Sequence, residues 1–227
     1  MGQLQSCCPG LLTGLTFPIS WLKYRMKKIA VLCSGRGSNL EALIKNKEAG
    51  ILQAEIAVVL SDNPDAPALA IARGHDVKAL HQDPGPKKTW LTPEIEAQWV
   101  QILKDHSVDL VCLAGFMRII KKPLLDAFTG RILNIHPSLL PAFPGLEVQK
   151  KALEYGVKFS GCTVHFVDDS VDGGPIITQA VVPILDSDTP DTLAARILNE
   201  EHRIYTEAIN LVLSGKYRIE GHRVIRT

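Results

Sequence analysis

Residues 28–39, KIAVLCSGRGSN, decide the fold of this 227-residue chain. The stretch begins with an unbroken apolar run, KIAVLC, which is typical of a strand that is buried on both faces. A turn with glycine at positions 35 and 37 follows, and Ser38 and Asn39 begin a helix. A strand, a glycine-rich turn and a helix in this order predict an α/β protein with a parallel sheet.

Strand and helix patterns continue to alternate along the chain. Up to residue 136 we predict strands at 28–33, 55–61, 77–80, 109–114 and 131–136, separated by helices at 39–47, 66–74 and 94–106. Beyond it we predict antiparallel strands at 162–167 and 175–185, a long helix at 189–214, and a closing hairpin of strands 217–219 and 223–225. The predicted fold is a doubly wound, mostly parallel α/β sheet of Rossmann type with an antiparallel C-terminal extension.

The composition is that of an ordinary globular protein. Twenty-five Lys and Arg residues against 24 Asp and Glu residues give a net charge of +1, so we expect no nucleic-acid partner. No apolar run reaches the ~18 residues that a membrane span needs, so we expect no membrane association. The five cysteines form no C-x-x-C pair and are odd in number, which favours free thiols and a cytoplasmic location.

The first 25 residues differ from the rest of the chain. They hold two prolines, three glycines and no acidic residue, and they show no periodic pattern. Gly2 and Ser6 match a myristoylation pattern, and Cys7 and Cys8 would be palmitoylation sites in that reading. The plainer reading is that Met26 opens the functional chain. We therefore predict an irregular extension over 1–25 and a single domain over 26–227.

The glycine-rich turn is the first candidate site. Gly37 lets the backbone turn sharply, and Ser38 and Asn39 begin a helix whose unpaired N–H groups would bind a phosphate. Leu40 stands where a dinucleotide fingerprint would have its third glycine. The alternative is a plain tight turn with Ser38 or Asn39 as the helix N-cap.

Asn134 and His136 form the second candidate site. Residues two apart on a strand share a face, so both side chains project together at the carboxyl end of the predicted strand, where open α/β sheets bind their ligands. An amide beside an imidazole can stabilise an oxyanion while the imidazole transfers a proton. The alternative is a histidine that only caps a loop.

Two acidic features complete the candidates. The loop 168–174, DDSVDGG, is either a solvated turn or the source of a carboxylate that holds a histidine protonated. Glu201 falls on the apolar stripe of the long helix, where a carboxylate needs a ligand or an internal ion pair. His165 is either a satisfied strand histidine or a partner of the acidic loop.

Together these segments resemble the phosphoribosylglycinamide formyltransferase family over about residues 27–215. The resemblance rests on SGRGSN at 34–39, AGFMRI at 114–119, NIHPSLLP at 134–141, HFVDDSVDGG at 165–174 and NEEH at 199–202. NIHPSLLP is shared by several formyltetrahydrofolate enzymes, whereas SGRGSN narrows the resemblance to this family. It implies that 26–227 is one formyltransferase domain.

The resemblance also implies roles for particular residues. It matches the ribonucleotide contacts to Gly37, Ser38, Asn39 and Glu201. It matches the folate contacts to Met117, Arg118, Ile119, Ile120, Asn134, Asp168, Asp169, Ser170, Val171 and Asp172. It matches the catalytic trio to Asn134, His136 and Asp172. A folate-binding arginine of the family falls near Thr92 here, so that contact is either taken over by Lys87 or Lys88 or absent.

The implied reaction is transfer of the formyl group of 10-formyltetrahydrofolate, the co-substrate, to the amine of glycinamide ribonucleotide in purine (IMP) biosynthesis. Hydrogen bonds and one positive charge would meet the oxyanion, and the histidines lack zinc spacing, so we expect no metal. The alternatives are a 10-formyltetrahydrofolate hydrolase, with water as acceptor, and a nucleotide- or folate-binding protein without turnover. A homo-oligomer is compatible with each of these readings.

Overall fold

The computed structural model describes residues 25–227 as one nine-stranded sheet with helices on both faces. The strands are β1 (Lys27–Cys33), β2 (Ala54–Ser61), β3 (Ala79–His81), β4 (Leu110–Leu113), β5 (Ile132–His136), β6 (Phe159–Phe166), β7 (Ile176–Pro183), β8 (Tyr217–Glu220) and β9 (Arg223–Arg226). The helices are α1 (Ser38–Glu48), α2 (Pro67–Gly74), α3 (Pro93–Asp105), α4 (Lys122–Ala127), α5 (Val148–Tyr155) and α6 (Pro190–Ser214).

The strand order is β3-β2-β1-β4-β5-β6-β7-β9-β8. Strands β1 to β5 pair in parallel, and β6 is antiparallel to both β5 and β7. The doubly wound, mostly parallel sheet with an antiparallel C-terminal extension is therefore confirmed. The closing hairpin β8–β9 also forms, and it joins the sheet through a parallel pair between Ile176 of β7 and Arg223 of β9.

The core has two halves, one on each face of the sheet. Ile29, Val31 and Cys33 of β1 pack against the face that α1, α2 and α6 cover. Ala30 and Leu32 point the other way, toward α3 and α4. Because every residue of β1 from Ile29 onward is fully buried, its apolar run has no polar alternation.

The structure differs from the prediction at several elements. Strand β6 begins at Phe159, three residues earlier than predicted. The edge strand β3 is short and begins at Ala79, two residues later than predicted. Helices α4 and α5 were not predicted at all. The long helix α6 begins one residue after Thr189, which serves as its N-cap in a reciprocal capping box with Thr192.

Cys33, Cys112 and Cys162 are buried free thiols. Burial raises the pKa of the Cys33 thiol to about 12, and it raises the pKa of Cys162 to about 12 as well. These thiols are therefore unreactive at neutral pH. The N-terminal extension, with its myristoylation pattern and with Cys7 and Cys8, lies outside the described residues except for Arg25. None of the helices in the described part of the chain is long and apolar enough to cross a membrane.

Candidate active site

The carboxyl ends of the central strands open into a cavity of about 930 Å³. The loops after β1, β4 and β5 form its walls, together with the loop between β6 and β7 and the inner side of α6. Strand β1 lies between β2 and β4, so the chain reverses its direction of winding here. Ligands of open α/β sheets bind at such a reversal.

The turn after β1 leaves the start of α1 open toward this cavity. Gly37 is the N-cap of α1 in a left-handed conformation, with φ +84°, and no side chain caps the helix. The alternative that Ser38 or Asn39 is the N-cap is therefore wrong. A Cβ at Gly37 would lie 2.7 Å from the Cβ of Ala68 on α2, so a larger residue does not fit. The predicted phosphate residues Gly37, Ser38 and Asn39 all line the cavity.

Glu201 of α6 reaches the same wall as Asn39. The Asn39 Nδ2 donates to Glu201 Oε2 at 2.7 Å, across 162 residues of sequence. Glu201 is buried, and burial raises the pKa of its carboxyl group, which the hydrogen bond from Asn39 partly offsets. The internal ion pair considered from sequence does not form among the described residues, because Glu201 has an amide partner instead. Its carboxylate lines the cavity, as expected for a ligand-binding residue.

Asn134, His136 and Asp172 come together at the end of β5. The Asp172 Oδ2 lies 3.4 Å from His136 Nδ1, and Asp172 Oδ1 lies 3.4 Å from Asn134 Nδ2. The His136 Nε2 donates to the carbonyl oxygen of Phe143 at 3.0 Å. The ring of His136 therefore has an acceptor oxygen near each of its two nitrogens.

His165 is a member of this cluster, which the sequence left undecided. Its Nδ1 donates to the carbonyl oxygen of Phe166 at 2.8 Å, so its Nε2 accepts from Asn134 Nδ2 at 3.2 Å. Burial lowers the pKa of His165, against the opposing charge of Asp172. Burial therefore favours the neutral form of His165. Asn134 of β5 and His165 of β6 are directly opposite in the sheet, and this register places their side chains next to each other.

The acidic loop is shaped so that Asp172 faces His136. Asp172 adopts a left-handed conformation, with φ +54°, and its Oδ2 accepts from the backbone N–H of Gly145 at 2.9 Å. A Cβ at Gly174 would lie 2.0 Å from the carbonyl oxygen of Phe166, so only glycine lets the loop return this close to β6. The other loop residues on the cavity wall are Asp168, Ser170 and Val171. Asp169, also predicted, does not lie on the wall.

The segment after β4 supplies an apolar wall. Met117, Arg118, Ile119 and Ile120 all line the cavity, as predicted. Met117 and Ile119 are exposed there, whereas Ile120 is buried. The guanidinium of Arg118 turns toward the protein, and its Nε donates to the buried carboxylate of Asp62 at 2.6 Å.

The loop before α3 contributes Thr89 to the wall. Neither Lys87 nor Lys88, considered as replacements for the arginine expected near Thr92, lines the cavity. Thr92 itself is the N-cap of α3. Of residues 87–92, only Thr89 lines the cavity, which favours the alternative that this contact is absent.

A second group of residues supports the loop after β5. The Thr163 hydroxyl donates to the carbonyl oxygen of Ser138 at 2.7 Å and accepts from the backbone N–H of Leu140 at 3.0 Å. Gln179 of β7 donates to the carbonyl oxygen of Leu140 at 2.9 Å. These bonds fix the loop that brings Phe143 to His136. Sequence reasoning missed them, because they depend on the register of β6 and β7.

The described residues hold no group of three His, Cys, Asp or Glu side chains placed to bind a metal ion. The chemistry available here is hydrogen bonding from Asn134, an imidazole at His136, and a carboxylate at Asp172. Such a group can stabilise a developing oxyanion and exchange a proton with a nitrogen.

Comparison with known proteins matches residues 27–209 to the family described as formyl transferase. Phosphoribosylglycinamide formyltransferase of Bacillus subtilis is 40% identical over 195 residues, which are 86% of this chain and 99% of that protein. Glycinamide ribonucleotide transformylase 1 from Symbiobacterium toebii has a similar crystal structure, with a TM-score of 0.85 and 53% identity over 88% of this chain and 94% of that one.

Longer relatives also match. The trifunctional purine biosynthetic protein adenosine-3 of Drosophila melanogaster is 45% identical over 200 residues, which are 86% of this chain but 14% of that protein. The chain spans less than a fifth of the length of the trifunctional relatives that it matches.

Proposed function

This chain belongs to the formyl transferase family, and we propose that it transfers the formyl group of 10-formyltetrahydrofolate to the primary amine of glycinamide ribonucleotide, a step of purine biosynthesis. The observation that carries the proposal is the cluster of Asn134, His136 and Asp172, which opens into the same cavity as the phosphate turn. Relatives named for this reaction align with most of the chain. The chain is an enzyme of this class.

The ribonucleotide occupies the side of the cavity beneath α1 and α6. Its phosphate binds the open N–H groups at Ser38 and Asn39, where the positive end of the α1 dipole favours an anion. The carboxylate of Glu201 binds the polar part of the same ligand. Burial makes that interaction strong, because a carboxylate with little water around it gains more from each hydrogen bond.

The formylfolate occupies the other side, between the segment 117–120 and the acidic loop 168–172. Met117 and Ile119 offer exposed apolar surface to a flat ring system. The loop 168–172 closes the opposite side and carries Asp172 toward the formyl group. The two ligands therefore meet at Asn134 and His136.

Catalysis follows from the charges of this cluster. The amine of the ribonucleotide attacks the formyl carbon, and the carbonyl oxygen becomes an oxyanion. Asn134 and the positive ring of His136 stabilise that oxygen, and removing one such donor typically costs about 100- to 1000-fold in kcat. The C–N bond to the folate then breaks. The departing nitrogen takes a proton from His136, directly or through a water molecule, and the proton that the ribonucleotide nitrogen loses returns to His136 by the same route.

We further propose that the family fold over 26–227 acts as one domain, in the cytoplasm and without nucleic acid. The match of the family to residues 27–209 supports the first point. The three buried free thiols support a reducing compartment. The net charge of +1 supports small-molecule partners over a polyanion.

An acceptor-dependence assay tests the proposed reaction. The purified protein is mixed with 10-formyltetrahydrofolate, and release of tetrahydrofolate is followed with and without glycinamide ribonucleotide. Release should require the ribonucleotide and should be lost in Asp172→Asn. Release without the ribonucleotide would contradict the proposal in favour of a hydrolase. Tight binding of both ligands without release would contradict it in favour of a binding protein.

A further inference from the structure

Ser34 lies between the end of β1 and the turn 35–39, and its three polar groups all bond to loops that follow other strands. Its backbone N–H donates to the carbonyl oxygen of Gly115 at 3.0 Å. Its hydroxyl oxygen accepts from the backbone N–H of Met117 at 2.9 Å. Its carbonyl oxygen accepts from Asn63 Nδ2 at 3.3 Å. Ser34 therefore joins the loops after β1, β2 and β4.

These contacts belong to a closed ring of interactions. Asn63 follows Asp62 in the chain, and Asp62 Oδ2 accepts from Arg118 Nε at 2.6 Å. Arg118 in turn follows Met117, whose backbone N–H returns to the hydroxyl of Ser34. The ring therefore fixes the loop after β4 against the residue that precedes the turn after β1.

The hydroxyl of Ser34 lies behind the cavity wall rather than in it. Among the residues that the structure describes, the wall after β1 is formed by 35–39, and neither Ser34 nor Asn63 belongs to it. Met117 does belong to the wall, and its side chain is exposed there. Ser34 thus acts on the cavity through the backbone of another residue.

Loss of this contact would affect the order of the segment more than the stability of the fold. Because Met117 is exposed, its backbone N–H would bond to water if the hydroxyl were absent. A solvated backbone group costs the folded protein little. The segment would gain conformational freedom, however, and a ligand that packs on it would have to remove that freedom.

We propose that Ser34 is a positioning residue for the folate subsite, and that its hydroxyl holds the segment 117–120 in the conformation that receives the formylfolate. The inference rests on the proposed function, because it concerns the folate side of the same cavity. A segment that is ordered before binding gives higher affinity, since less entropy is lost when the ligand arrives.

The ribonucleotide side should not depend on this hydroxyl. The turn 35–39 keeps both backbone contacts of Ser34, to Gly115 and to Asn63, when the side chain is shortened to alanine. The proposal therefore predicts an effect on one ligand only, which a general loss of structure would not produce.

The test is Ser34→Ala in the full chain, with the two ligands titrated separately. Isothermal titration calorimetry measures the dissociation constants of 10-formyltetrahydrofolate and of glycinamide ribonucleotide. The constant for the folate should rise about threefold to tenfold, the range expected for one lost hydrogen bond that preorganises a site. The constant for the ribonucleotide should stay within about twofold of the wild-type value, and the urea midpoint should stay close to that of the wild type.

Ser214→Ala is the matched control. The Ser214 hydroxyl also accepts a backbone N–H, that of Lys216 at 3.2 Å, and it lies at the end of α6, away from the described residues of the cavity wall. Both dissociation constants should therefore keep their wild-type values in this variant. A loss of folate affinity in Ser214→Ala equal to that in Ser34→Ala would overturn the proposal.

Two further outcomes would overturn it. Unchanged folate affinity in Ser34→Ala would show that the hydroxyl does not position the segment, and an equal loss for both ligands would indicate a general structural role. The proposed function is tested separately, by formyl transfer in the wild-type protein. A protein whose folate affinity depends on Ser34 but which does not transfer the formyl group would contradict the proposed function alone.

Discussion

At the scale of the residue, the proposed chemistry depends on two histidines near the carboxylate of Asp172. His136 has an acceptor near each ring nitrogen, the carbonyl oxygen of Phe143 and the carboxylate of Asp172. His165 is buried, which lowers its pKa, and its accepting nitrogen orients Asn134. His165 and Asp172 together therefore hold the amide of Asn134 in place.

Asp172→Asn tests whether the carboxylate of Asp172 contributes to the proposed reaction. The change removes the negative charge beside the ring of His136, so at neutral pH kcat should fall by roughly 100-fold, within the usual range for general acid–base catalysis. Steady-state kinetics measures the loss. Asp169→Asn, which removes a neighbouring charge off the cavity wall, should keep the wild-type kcat; a matching fall there would contradict the role of Asp172.

Glu201→Gln separates the role of Glu201 in ribonucleotide binding from its effect on the free energy of unfolding. Burial raises the pKa of Glu201, so the folded state holds that proton more tightly than the unfolded state does. The carboxyl group therefore contributes stability at low pH, and the contribution is lost as the pH rises through the raised pKa. At about pH 7.5 the glutamine variant should be more stable by roughly 1 kcal/mol, while its affinity for the ribonucleotide falls.

Urea denaturation near pH 7.5 and near pH 4, together with ribonucleotide binding, checks this expectation. The stability gain should shrink at the lower pH, where the wild-type carboxyl group is itself neutral. A variant that is less stable at both pH values would contradict the account of Glu201 as a buried charge kept for a ligand.

At the scale of the element, the sequence predicted the strands that are buried on both faces and the helix that has one long apolar stripe. The core strands β1, β2, β4 and β5 and the helix α6 formed within one or two residues of their predicted bounds. The missed helices α4 and α5 are short and begin without a side-chain cap. The start of α4 depends on a contact with another helix, because Glu96 of α3 accepts its backbone N–H groups. Helix α5 follows Glu147, which has a left-handed backbone conformation.

Glu96→Ala tests this dependence of α4 on α3. The Glu96 carboxylate is buried and accepts from the backbone N–H groups of Lys121 and Leu124, at 2.7 and 3.2 Å. Its removal leaves both donors unpaired, so the free energy of unfolding should fall by about 2–3 kcal/mol. Chemical denaturation measures the loss. Gln98→Ala, an exposed change on the same helix, should stay within about 0.5 kcal/mol of wild type; an equal loss there would contradict the prediction.

At the scale of the whole molecule, the sheet brings distant segments to one cavity. Three parts of the site follow the neighbouring strands β1, β4 and β5: the turn 34–39, the apolar segment 117–120, and Asn134 with His136. Their meeting at one cavity was therefore predictable from the strand order of a doubly wound sheet. The position of His165 in the site was not predictable from the sequence, because it depends on the strand register that sets Asn134 of β5 opposite His165 of β6. Periodicity predicts which face a residue occupies, and it does not fix the partner across the strand.

A chain that begins at Met26 tests the proposed domain boundary. The site is assembled from residues 35–201, and the family matches residues 27–209. The shortened chain should therefore keep kcat and both KM values within about twofold of the full chain. It loses the ion pair between Arg25 and Asp109, which is worth at most about 1 kcal/mol. A large fall in kcat would contradict the boundary, and Arg25→Gln in the full chain would show whether that ion pair is the cause.

The most direct measurement follows the fate of the formyl carbon. The protein is mixed with 10-formyltetrahydrofolate that carries an isotopic label in its formyl group, together with glycinamide ribonucleotide, and the products of a single turnover are analysed by mass spectrometry. The account predicts that the label appears in the ribonucleotide, and that His136→Ala forms little labelled product while still binding the ribonucleotide. Label recovered as free formate, or full transfer by His136→Ala, would contradict it.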